Sequence, residues 1–103
     1  MLQPEGITSI TDKQPLWTHD EAIAFESARD TIGHMIAICS SLMGKEESKP
    51  NPDREKIKLL REKQSSLAAE RRDLCLKDHA NIARIEQEYG LEIKAFNEGV
   101  WFF

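Results

Sequence analysis

From Phe25 onward, apolar side chains recur at spacings of three and four: Phe25, Ala28, Ile32, Met35, Cys39 and Leu42. That alternation marks a helix with an apolar seam. Its start is written in Thr18 and Glu21, the capping-box spacing, with Trp17 placed to staple onto Ala22 and the acids Asp20 and Glu21 in the first turn, where the helix dipole favours negative charge. Gly44 offers a left-handed stop, so the pattern predicts helix one over residues 18–44. Ile23, Ile36, Ile38 and Met43 widen its apolar stripe beyond what one partner helix covers.

The next residues, KEESKPNP, hold two prolines and no apolar side chain, and so predict a turn over 45–51. Asn51 as cap, Pro52 at the first helical position and Asp53 and Glu55 behind it form a second start signal. Helix two is then expected over 52–89, ending at Gly90. Its seam reads Ile57, Leu60, Gln64, Leu67, Arg71 and Leu74, then Ile82, Ile85 and Tyr89 after a one-residue change of phase that resembles a coiled-coil stutter. LEIKAF alternates apolar and polar positions with Leu91, Ile93 and Phe96, and VWFF follows a turn at Asn97, Glu98 and Gly99. The tails 1–17 and 90–103 are read as extended, paired as a short β-ribbon or wrapped as loops.

The fold class this predicts is all-α: one domain over 1–103, built as a long, coiled-coil-like antiparallel helical hairpin with both tails at its open end. A turn near residue 48 pairs position i with about position 97 − i. In that register Cys39 and Cys75 lie about 25 Å apart along the axis, too far for a disulfide. Gln64 faces Gly33, and Arg71 faces Glu26 with Asp30 beside it. Arg71 then either forms a partly buried pair with Glu26 or reaches out to water. His79 and Asp78 fall near Thr18 and His19. This is weak evidence for a metal, because neither histidine belongs to a ligand-spaced pair. His34, four and eight residues after Asp30 and Glu26, reads as part of an exposed ladder.

Composition narrows the class. Charged residues are 31% and hydrophobic ones 40% of 103, as on long solvated helices, and the net charge of −4 opposes general polyanion binding. Two cysteines and no apolar leader point to a reducing cytoplasm, and no run is long enough to span a membrane. No phosphate loop, nucleophile elbow or metalloprotease motif is present, so no enzyme, cofactor or metal is expected. The function this leaves is a small interaction module (an adaptor, inhibitor or regulator) with a protein partner. The C-terminal Val100, Trp101, Phe102 and Phe103 either dock into that partner or fold back onto Trp17 and Tyr89. Two helices bury little, so a homodimer is expected, with Ile23, Ile36, Ile38 and Met43 forming the intersubunit layer of a four-helix arrangement. The alternative is a nucleic-acid-associated regulator using Arg54, Lys58 and Arg61, which share one face of helix two.

Overall fold

The computed structural model describes residues 16–100 as three helices: α1 (His19–Glu47), α2 (Arg54–Asp73) and α3 (His79–Asn97). No strand occurs among the described residues. α1 opens with both halves of the capping box: the Glu21 amide donates to Thr18 Oγ1 at 3.0 Å, and the Thr18 amide donates to Glu21 Oε1 at 2.9 Å. The helix runs through Gly44, where a side chain would meet nothing within 4 Å, and continues in the helix formers Lys45, Glu46 and Glu47. A lone glycine costs a helix roughly 0.5–1 kcal/mol relative to alanine. That is too little to end one whose neighbours favour it.

The turn is tied by a buried acid. Glu46, 4% exposed, accepts the Asp53 amide at 2.9 Å and Lys49 Nζ at 3.0 Å, with Lys56 Nζ at 3.6 Å. The expected cap at Asn51 with Pro52 inside the helix is therefore replaced. Asp53 is the cap, its carboxylate accepting the Lys56 amide at 3.1 Å, because Glu46 orients the Asp53 amide from across the loop.

α2 descends antiparallel to α1. Gln64 Nε2 donates to the Ile36 carbonyl at 3.1 Å, Arg71 Nε to the Arg29 carbonyl at 3.3 Å, and Arg61 lies 3.9 Å from Glu47. Paired positions sum to 100 at the first two contacts, so the register is displaced by three residues from the expected one. Gly33 accordingly lies beside Arg71, not Gln64. The Arg71–Glu26 pair is not made: Arg71 bonds a main-chain carbonyl, and Glu26 lies 4.0 Å from Arg29.

The largest departure comes at Leu74. The expected continuous helix over 52–89 breaks there: Leu74 is extended (φ −62°, ψ 132°), the Asp78 amide closes a turn onto the Cys75 carbonyl at 3.1 Å, and Asp78 caps α3 by accepting the Asn81 amide at 3.2 Å. The physical reason lies in the length of α1. With 71 opposite 29, a straight second helix reaches the start of α1 near position 80, and Ile82, Ile85, Tyr89 and Ile93 would overhang into water. Turning back buries them.

α3 climbs α1 in parallel: His79 meets Glu21 at 2.6 Å and Glu86 accepts Thr31 Oγ1 at 2.8 Å. Gly90 lies inside this helix, and LEIKAF is helical rather than extended. The left-handed stop is Gly99 (φ 80°), where the Val100 amide bonds the Ala95 carbonyl at 2.9 Å and the Gly99 amide bonds Phe96 at 3.0 Å, a Schellman closure. Residues 90–97 of the expected ribbon are helical instead, and residues 1–15 and 101–103 lie outside the described residues. The start of α1 and the end of α3 occupy opposite poles, not one.

α1 is thus the central helix, with Ala28, Ile32, Met35 and Cys39 packed against Leu60, Leu67, Leu74, Ile82 and Ile85. α2 and α3 both pack on it, whereas among the described residues no Cα of α2 lies within 8 Å of α3. Side chains bridge that gap. Glu70 accepts Tyr89 Oη at 2.6 Å and pairs with Arg84, and Lys63 lies 3.5 Å from Glu92.

Candidate interaction surface

The pole where α1 begins and the 74–78 link passes beneath it carries the most unusual surface. Leu16 is 80% exposed, Trp17 48% and Ile23 55%. Trp17 also lines a groove of about 270 Å³ with Ala22, Phe25, Glu26 and Leu76. The staple expected between Trp17 and Ala22 therefore takes the form of a shared groove wall. On the neighbouring side a groove of about 320 Å³ runs between α1 and α3, floored by Ala24, Ile82 and Ala83 and edged by Asp20, Glu21, His79 and Glu86.

Glu21 ties this pole together. It accepts Lys77 Nζ at 2.8 Å, the Thr18 amide and His79 Nε2, and so links the α1 cap to the link and to the first turn of α3. These donors, Lys77 foremost and then the Thr18 amide, hold its carboxyl down at about 2 against the usual 4.5. Asp78, expected beside His19, serves as the α3 cap. Among the described residues no three His, Cys, Asp or Glu side chains are grouped to hold a metal ion. Cys39 is buried and Cys75 exposed, and both are free thiols; burial pushes the Cys39 thiol up.

The opposite pole is closed by polar groups, although Leu59 (40% exposed) and Leu91 (62%) are also open to solvent on the halves of α2 and α3 that lead to it. The Asp53 amide, and then Lys49, hold the Glu46 carboxyl below its usual range. Arg54, Lys58 and Arg61 are all exposed there on α2. Val100 is exposed as well, while Trp101, Phe102 and Phe103 lie outside the described residues. Val100 sits at the far end from Trp17, and the expected docking or fold-back of the aromatic tail falls on residues outside the described ones.

Between the poles, Glu70 binds two groups of α3. Burial first, and then the Glu70 carboxylate, push the Tyr89 hydroxyl up to about 12. Burial opposes the charge of Arg84, but Glu70, Tyr89 and Glu88 outweigh it and raise the guanidinium above its ordinary value. Arg84 also lies 5.7 Å from the centre of the Tyr89 ring.

The four residues expected to form a dimer layer are not one surface. Ile38 is 5% exposed, and Ile36 and Met43 pack against the core; only Ile23 faces outward. With α3 folded back onto α1, much of that broad apolar stripe is covered from within the chain. Sequence reasoning passed over Leu16 and Leu76, because single apolar residues beside a cap and in an apparently continuous helix carry no periodic signal. Among the described residues no helix is long and apolar enough to cross a membrane. No family model matches the chain, and neither a curated protein nor a solved structure matches it.

Proposed function

We propose that the chain is a helical interaction module that engages a protein partner through the apolar surface at the start of α1. The observation that carries this reading is Trp17, 48% exposed on the wall of a groove with Phe25 and Leu76, with Leu16 next to it in the chain and Ile23 exposed in an adjoining groove that shares Ala22 and Glu26. Exposed apolar side chains scattered singly are ordinary; grouped around a concavity they favour association. A photo-crosslinking amino acid at position 17 tests it. The reading expects a discrete adduct that disappears with Ile23→Lys, whereas adducts from position 66 on α2 but none from position 17 contradict it.

A second reading draws support from the shared exposure of Arg54, Lys58 and Arg61: a regulator that contacts nucleic-acid phosphates. Glu47, 3.9 Å from Arg61, works against it. A gel shift at low salt that is lost in Lys58→Glu with Arg61→Glu supports it, and no retardation at low salt removes it.

A further inference from the structure

We infer that the occupant of the apolar pole is a second copy of this chain, joined by exchange of α3 through straightening of the 74–78 link; this rests on the interaction reading above. Four observations converge. The segment from Asp53 to Tyr89 contains neither glycine nor proline, and Leu74, Cys75, Leu76 and Lys77 are all residues a helix accepts. α3 packs on α1 and reaches α2 only through side chains, Tyr89 and Arg84 on Glu70 and Glu92 beside Lys63, and these contacts re-form when another copy supplies α3. The link is short, five residues between two helices, which is the hinge geometry that favours exchange. Exposed Trp17 shares its groove with Leu76 of the hinge itself, and exposed Ile23 lies in the adjoining groove.

The last point identifies the occupant. Once the link is helical, α2 and α3 form one rod from Arg54 to Asn97, about 66 Å long at 1.5 Å per residue. It projects past the start of α1 and places its second half on the central helix of the other copy. The two copies then meet end to end at this pole. Leu16, Trp17, Ile23 and Leu76 of both copies lie near the twofold axis, and the apolar surface left open in the single chain becomes covered. The closed and exchanged forms bury the same core and differ at the hinge. The closed form gains the Asp78 cap, the Cys75–Asp78 turn and the Lys77–Glu21 pair; the exchanged form gains a continuous helix and the covered pole.

Two substitutions at the hinge move the balance in opposite directions. Leu76→Pro places proline at the second position of the Cys75–Asp78 turn, which suits its fixed φ, and forbids a helix through the link. Asp78→Ala removes the α3 cap and favours continuity, raising the dimer association constant roughly tenfold or more, since both copies lose a cap. The experiment is light scattering on the full chain from micromolar to millimolar concentration, including samples refolded at the highest concentration, with circular dichroism to check helix content. Exchange is expected to give a dimer that is slow to dissociate, absent in Leu76→Pro and enriched in Asp78→Ala. Spin labels at Ser66 and Gln87, diluted into unlabelled chain, separate by about 32 Å in the exchanged dimer, 21 residues of helix, against the spacing of neighbouring helices in the monomer. A wild-type chain that stays monomeric throughout, or an Asp78→Ala dimer whose labels keep the short distance, overturns the inference. A dimer that persists in Leu76→Pro but is lost with Ile23→Lys also overturns exchange, while leaving the apolar pole standing as an interaction surface.

Discussion

The two ends of the bundle are closed by different chemistry. At one, residues 48–53 contain two prolines, and the buried Glu46 carboxylate gathers an amide and two lysines around itself. At the other, residues 74–78 contain no proline, are held by the Asp78 cap, the Cys75–Asp78 turn and the Lys77–Glu21 pair, and leave Leu16, Trp17 and Ile23 in water nearby. The first turn has one conformation available, because each residue before a proline is steered away from the helical region and the loop amide has its acceptor. The second is built from helix formers held in a non-helical turn by where the core lies. One connection is fixed by its own residues, the other by the packing of α3 and the hold of Glu21 on Lys77 and His79.

Truncating that packing should expose the difference most strongly. Ile85→Ala, at a fully buried α3 position, is expected to cost about 2–5 kcal/mol in denaturant unfolding. Hydrogen exchange should accelerate in α3 and the link well before the α1–α2 turn; uniform acceleration would place the two ends on equal footing. Tyr89→Phe removes the hydroxyl that reaches Glu70 across the α2–α3 gap, at about 1.5–3 kcal/mol for a bond to a charged acceptor. The wild-type phenol should titrate near 12 by ultraviolet difference spectroscopy, and a titration near 10 would show the bridge absent.

Asp78→Ala, a lost cap, is expected to cost the closed chain about 1 kcal/mol and to raise the dimer fraction. Glu46→Ala should lower the melting temperature without raising that fraction, because it damages the turn that has no helical alternative. The smallest effect is that of acid. Glu21 titrates at about 2 when folded against an ordinary 4.5, so the stability it contributes is fully present above about pH 4.5 and disappears as pH falls toward 2. Glu21→Gln should flatten the stability profile in that window; an unchanged profile would dissociate Glu21 from the pole.

Much of α1 could be read from its residues, since the capping box and the apolar seam are local patterns. So could its contact with α2 to within three residues. Gly44 and Gly90 misled because a glycine's stop signal is weak beside favourable neighbours, and the stronger one, Gly99, stands where the chain was read as a tail. The break at residue 74 was legible in principle: a helix starting at Thr18 is too short to cover a straight partner ending at Tyr89. The one-residue change of phase after Leu74 was its trace, and the Asp78 cap its signal. The Glu46 clasp and the Glu70, Arg84 and Tyr89 network were not legible, because each joins residues that meet only after the chain has turned. For the surface, Trp17 was visible as a staple, but its neighbours Leu16 and Leu76 acquire meaning only beside the link.

The claim on which all of this depends is that α3 returns along α1 instead of continuing α2. Spin labels at Glu47 and Glu98, in a Cys75→Ser background where the remaining Cys39 is buried, test it on the monomer at micromolar concentration. The up-down-up arrangement places them at the same pole, roughly 10–15 Å apart. A separation above about 60 Å, the length of one unbroken helix from Arg54 to Asn97, would contradict it.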